Sequence, residues 1–93
     1  MAQHITTIDD LIREYYGRNP DGHFFDHRTL KFFGERISEM RLLKGVWKVT
    51  DISGRLRRCY IVSSRQRKAY GEPRRKWHYF EARTLRQIFI PNT

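Results

Sequence analysis

His23 and His27 stand four residues apart, a spacing that could ligate a metal, with His78, Asp26 and Cys59 as candidate further ligands. A His-x3-His pair shares a face only inside one helix. Asp26 reads as the N-cap of a helix that begins at Arg28, which leaves His23 outside it and breaks the geometry. His78 alternates with aromatic residues and reads as a hydrogen-bonded strand histidine, so no metal site is expected. Hydrolytic chemistry needs converging carboxylates, or a nucleophile with an oriented base. Asp9, Asp10 and Glu14 do cluster, but at a helix start, where acids are favoured by the dipole alone. Cys59 has Arg57 and Arg58 as neighbours, which would lower a thiol pKa, yet strand alternation sets Arg58 on the opposite face. No glycine-rich phosphate loop or serine elbow is present. The chain shows no catalytic constellation; a non-enzymatic protein without a cofactor is the expectation.

The chemistry that remains is cationic. The net charge is +9 over 93 residues, and its distribution is uneven. Residues 1–54 hold eight Lys/Arg and eight Asp/Glu. Residues 55–76 hold nine basic side chains, Arg55, Arg57, Arg58, Arg65, Arg67, Lys68, Arg74, Arg75 and Lys76, against Glu72 alone. A concentrated charge points to a binding feature where a uniform one would serve solubility. Seven of the nine are Arg, whose planar fork suits phosphate or carboxylate oxygens. Tyr70 and Trp77 lie within or beside the run and offer rings on which bases can stack. The competing reading is a solvated loop with edge-strand charges that discourage aggregation.

These residues need elements to hold them. The overlapping boxes Thr6-x-x-Asp9 and Thr7-x-x-Asp10 start a helix over about 8–16, with Ile8, Leu11, Ile12, Tyr15 and Tyr16 at helical spacing and Gly17 closing it. Arg18 to Gly22 is a turn cluster. A short extended piece, His23–Phe25, leads into a second helix over Arg28–Phe33, ended by Gly34. Residues 35–44 fit helix and strand equally well. Val46–Ile52, a Ser53-Gly54 turn and Leu56–Ser63 form a β-hairpin, with Leu56, Arg58, Tyr60 and Val62 on one face. Residues 64–75 read as a loop, Arg75–Phe80 as a strand, and Glu81 as the cap of a third short helix through Leu85 or Gln87. The expected fold is one α+β domain over 1–93: a small antiparallel sheet built around a central hairpin, with two or three short helices. The single cysteine excludes an internal disulfide and favours the cytosol. No apolar run approaches a membrane span, and no leader opens the chain, so a soluble protein with no membrane partner is expected.

The segments His23–Leu30 and His78–Leu85 agree at five of eight positions and conservatively at two more. Both read as strand, acidic cap and short helix, with their aromatics in the core. The run Gly22-His23-Phe24-Phe25-Asp26-x-x-Thr29-Leu30-Lys31-Phe32-Phe33-Gly34 resembles a family of small uncharacterised proteins of phages and other mobile elements, classed as a domain of unknown function. The Cys59-Tyr60 and His78-Tyr79-Phe80 strands match the same layout, so the resemblance spans roughly 20–88. It implies a phage or mobile-element context, in which small proteins act on host nucleic-acid and defence machinery.

Two partners fit the basic segment. One is DNA or RNA, gripped through phosphates by the nine cations, with Tyr70 and Trp77 stacking. The other is an acidic surface of a host nuclease or ribonucleoprotein complex, which would make the protein an anti-CRISPR-like inhibitor.

Overall fold

A computed structural model describes residues 5–20, 25–26, 31–32, 35–67 and 74–91. Among these residues there is one helix, α1 (Ile8–Arg18), followed by β1 (Phe25–Asp26), β2 (Lys31–Phe32), β3 (Glu35–Leu42), β4 (Trp47–Thr50), β5 (Leu56–Gln66), β6 (Arg75–Glu81) and β7 (Gln87–Ile88). All strand pairs are antiparallel. Helix α1 begins as its capping box requires: the Asp10 amide donates to the Thr7 hydroxyl at 3.1 Å, and the Thr7 amide donates back to the Asp10 carboxylate at 3.2 Å. Thr6 also donates to that carboxylate, through its hydroxyl first, and these bonds hold the Asp10 pKa below its ordinary value. The helix passes through Gly17 and is capped at Asn19, whose amide donates to the Tyr15 carbonyl at 2.7 Å.

β5 is the central strand. Its Cys59–Arg65 stretch pairs with β6, while the other edge takes β4 along Leu56–Cys59 and β3 along Val62–Gln66. β3 and β4 therefore lie end to end. Between the pairs Leu42–Val62 and Trp47–Cys59, four residues stand across from two, and Gly45 absorbs the excess at φ +94°. The β4–β5 hairpin closes through a turn in which Gly54 adopts φ +86°, and the Asp51 amide donates to the Arg55 carbonyl at 2.9 Å.

Residues directly opposite one another in the register share a face of the sheet. Met40, Leu42, Tyr60, Val62, Ser64, His78 and Phe80 thus point the same way, and α1 packs there. The core consists of Ile5, Leu11, Ile37, Val62, Phe80 and Leu85, all buried. His78 is buried at this face's edge with its Nε2 2.7 Å from the Ser64 hydroxyl, the hydrogen-bonded strand histidine that the alternation implies.

The antiparallel sheet and its hairpin match the sequence reading, but two helices do not form. Lys31–Phe32, placed in the second helix, is strand β2 and pairs with Glu35–Arg36. The third helix from Glu81 is replaced by a turn. One α-type bond forms, from the Leu85 amide to the Glu81 carbonyl at 2.7 Å; Leu85 then takes φ +60° and the chain returns as β7. Pairing with β6 wins over a local helical signal that is one turn long. The strand–cap–helix resemblance between the two similar segments therefore fails at Glu81–Leu85, although Phe80 is core as expected. Most of the Gly22–Gly34 motif, including His23 and His27, lies outside the described residues.

Candidate nucleic-acid interface

The fold divides the nine cations that are contiguous in sequence. Arg57 is committed internally: its Nε donates to Asp51 at 2.9 Å and an Nη donates to Glu81 at 3.1 Å. Asp51, itself buried, also accepts from the Ser53 hydroxyl at 2.6 Å and from the Ser53 and Arg55 amides. The Ser53 hydroxyl and the Arg57 guanidinium hold its carboxyl well below the usual carboxylate range. Arg55 sits at the exposed hairpin turn. Arg58, which pairs with Lys48, and Lys76, which pairs with Ser64, belong to the helix side of the sheet. Arg58 lines an open groove of about 690 Å³ there with Arg18, Arg83, Leu56 and Tyr60, and Arg18 donates to the Arg83 carbonyl. Lys68 and Tyr70 lie outside the described residues.

Arg65, Arg75 and Trp77 occupy the other face, away from α1. Arg67 and Arg74 are exposed at the same end of β5 and β6, where the Gln66 amide donates to the Arg74 carbonyl at 3.1 Å. The structure adds residues that the sequence reading missed. Arg41 pairs with Ser63 and Trp47 with Cys59, which places both on the face of Arg65 and Trp77. Arg36 lies beside Arg67, whose amide donates to its carbonyl at 3.1 Å.

Electrostatics at this end are unbalanced. Arg65 stands directly across from Arg75. Like charges facing across strands destabilise a pair, and here Glu39, opposite Arg65 on β3, is the acid that offsets them. Glu39 is the single described carboxylate nearby. Arg41 holds it at 2.6 Å and Arg75 reaches it at 3.5 Å, while Arg75 also donates to the Ser63 hydroxyl at 2.8 Å. Glu39 stands opposite Arg65 in the β3–β5 register, but among the described residues no carboxylate forms an ion pair with Arg65, Arg67 or Arg74. Arg75 is thus a braced guanidinium and Arg65 an exposed one beside it. Trp47 and Trp77 are 47% and 48% exposed on the same face, an unusual exposure for so large an apolar ring.

Cys59 is fully buried, directly opposite Trp47 in the β4–β5 register. Burial first, then the negative charge of Glu81, pushes its thiol up to about 11, against the lowering that its arginine neighbours suggested. A thiol reagent at pH 8 should therefore label no cysteine in the native protein and one per chain after unfolding in guanidinium. Stoichiometric native labelling would contradict the burial. Among the described residues no group of three His, Cys, Asp or Glu side chains is placed to hold a metal. No helix among them is long and apolar enough to cross a membrane.

The Asp51 cluster yields a pH dependence. A carboxyl whose folded pKa is depressed adds stability that is complete above its unfolded value of about 3.9 and is lost as pH falls below it. Asp51→Asn should lower the melting temperature at pH 7 by several degrees, and the gap to wild type should narrow as pH drops from about 4 to about 2. Thermal melts at stepped pH check this; a constant gap would place the stabilisation elsewhere.

No family model, no curated protein and no solved structure matches this chain.

Proposed function

We propose that this is a non-enzymatic nucleic-acid-binding protein that grips phosphates with the helix-free face of its sheet. Arg65 and Arg67 are its exposed contacts and Arg75 and Arg41 its braced ones, with Arg74 adding exposed charge at the same end of the sheet. The observation that carries the reading is the Arg65–Arg75 juxtaposition beside two exposed tryptophans, with one carboxylate shared by Arg41 and Arg75. Phosphate oxygens supply ionic acceptors for the exposed guanidinia that pair with no described carboxylate, and their neutralisation releases counterions. The resemblance to phage and mobile-element proteins supports a setting in which such binding serves an invading element. Anisotropy of labelled DNA and RNA oligonucleotides tests the proposal. Binding should be measurable at low ionic strength and should fall linearly in log–log terms as salt rises. Absence of binding to both, at low salt, would end it.

A second reading uses the same face. Trp and Arg are the residue types that anchor protein interfaces, so two exposed tryptophans among arginines also fit an inhibitor docked on an acidic surface of a host nuclease or defence complex. A pull-down from nuclease-treated host lysate separates the two: a protein partner retained after digestion favours the inhibitor.

A further inference from the structure

We infer that the nucleic acid is single-stranded and that its bases stack on Trp47 and Trp77, an inference that rests on the nucleic-acid reading above. The chain has two tryptophans, and both stand half-exposed on one face of the sheet. Trp47 pairs with Cys59 on one edge of β5, and Trp77 pairs with Ser63 on the other. Four residues along β5 at about 3.3 Å each, and a strand spacing of about 4.8 Å to either side, separate their backbones by roughly 16 Å. Ile61 and Tyr79, directly opposite each other on that face, lie between them. Ile61 is buried and Tyr79 is partly buried, with its hydroxyl pKa raised by that burial. The result is an apolar floor with a half-exposed indole at each end.

Polarity runs in one direction across this surface. Beyond Trp77 the next residue in β6 on the same face is Arg75, and Arg65 stands opposite it. Arg41 stands across Ser63 from Trp77. A strand whose bases lie over the indoles brings its phosphates to these guanidinia. Stacking on a protein ring requires a base whose face is free, which a single strand offers and a duplex covers with its own neighbours. Duplex readers commonly insert a helix into the major groove. The one described helix starts with Asp9 and Asp10 and packs its apolar side on the core, so it presents no cationic groove reader.

Because both tryptophans lie on this face, fluorescence excited selectively at tryptophan reports on it. Titration with oligo(dT) of about 12 nucleotides should quench the emission, and a blunt duplex of equal length should bind at least 10-fold more weakly at the same salt. Trp77→Ala should weaken oligo(dT) binding roughly 10- to 100-fold, in line with the stacking of one base, and Trp77→Phe should restore most of it. Trp47→Ala should act in the same direction. Circular dichroism of each variant controls for folding. Equal affinity for duplex and single strand, with both alanine variants at wild-type affinity, would overturn the stacking inference and leave nucleic-acid binding standing. Failure of both ligands to bind would remove both.

Discussion

Replacing Arg65, Arg67 and Arg74 together with glutamate should reduce nucleic-acid affinity by at least ~100-fold at about 0.1 M salt while leaving the fold intact. Arg65 and Arg67 are exposed guanidinia at the cationic end of the helix-free face, Arg74 is exposed at the same end of the sheet, and no described carboxylate forms an ion pair with any of them. Each substitution deletes a phosphate contact and adds a repulsive charge in its place. On single strands the salt slope falls by about 0.7 per contact, so the triple variant should also flatten the log–log dependence by about 2. Stability should change little. Exposed substitutions away from buried networks usually stay within about 0.5 kcal/mol, and Arg65→Glu trades a like-charge pair across β5 and β6 for one across β3 and β5, where Glu39 stands opposite. The matched control is Arg55→Glu at the hairpin turn, at the far end of β5. It removes the same charge from the same stretch of sequence and should cost little affinity. Equal losses from Arg55→Glu and from any one of the three would mean that net charge, and not this face, governs binding.

Phe80→Ala should unfold the protein or bring it close to unfolding. Phe80 is fully buried, sits opposite Tyr60 at the centre of the sheet, and touches the cluster that α1 covers. Truncating a buried Phe costs about 3–5 kcal/mol through lost transfer energy and the cavity left behind. Whole domains of this size hold about 0.05–0.15 kcal/mol per residue, so the loss consumes a large part of the total. The melting temperature should drop by roughly 15 °C or more, at about 4–8 °C per kcal/mol for a small domain. Phe80→Leu keeps most of the apolar volume and should cost about 1–2 kcal/mol. Thermal melts followed by far-UV circular dichroism check both; a wild-type melt for Phe80→Ala would contradict the placement of this ring in the core.

The elements that sequence disclosed well are those whose signals are local. Helix α1 is written in its capping box and in the spacing of Ile8, Leu11, Ile12 and Tyr15, and the β4–β5 hairpin in its alternation and its Gly54 turn. Residues 35–44 were ambiguous for a physical reason. β3 carries a bulge at Ser38, whose hydroxyl donates to the Arg65 carbonyl at 2.9 Å. The extra residue lets Ile37 and Met40, three apart, both face the core, and three is a helical spacing. Without the bulge the faces of Arg41 and Glu39 cannot be assigned, so the N-terminal share of the cationic face stayed hidden. Trp47 was legible as a strand residue, but its partnership with Trp77 on one face depends on the register of β4, β5 and β6 together.

Charge counting along the chain had a different limit. It found the basic stretch and could not divide it. Arg57 is consumed by Asp51 and Glu81, and Arg58 and Lys76 fall on the helix side, because a strand sends alternate residues to opposite faces. Of the nine, four are brought together around the end of β5 and β6, and two further arginines join them from β3.

The most direct test of the helix-free face as the nucleic-acid surface is a heteronuclear NMR titration of the labelled protein with oligo(dT). Shifts should concentrate at the indole N–H groups of Trp47 and Trp77 and at the amides of Arg41, Ser63, Arg65 and Arg75, with Leu11, Val62 and the rest of the helix-side core unmoved. Shifts centred on Arg18, Arg58 and Arg83 in the groove beside α1, with both indoles unchanged, would place binding on the opposite side of the sheet and contradict the account.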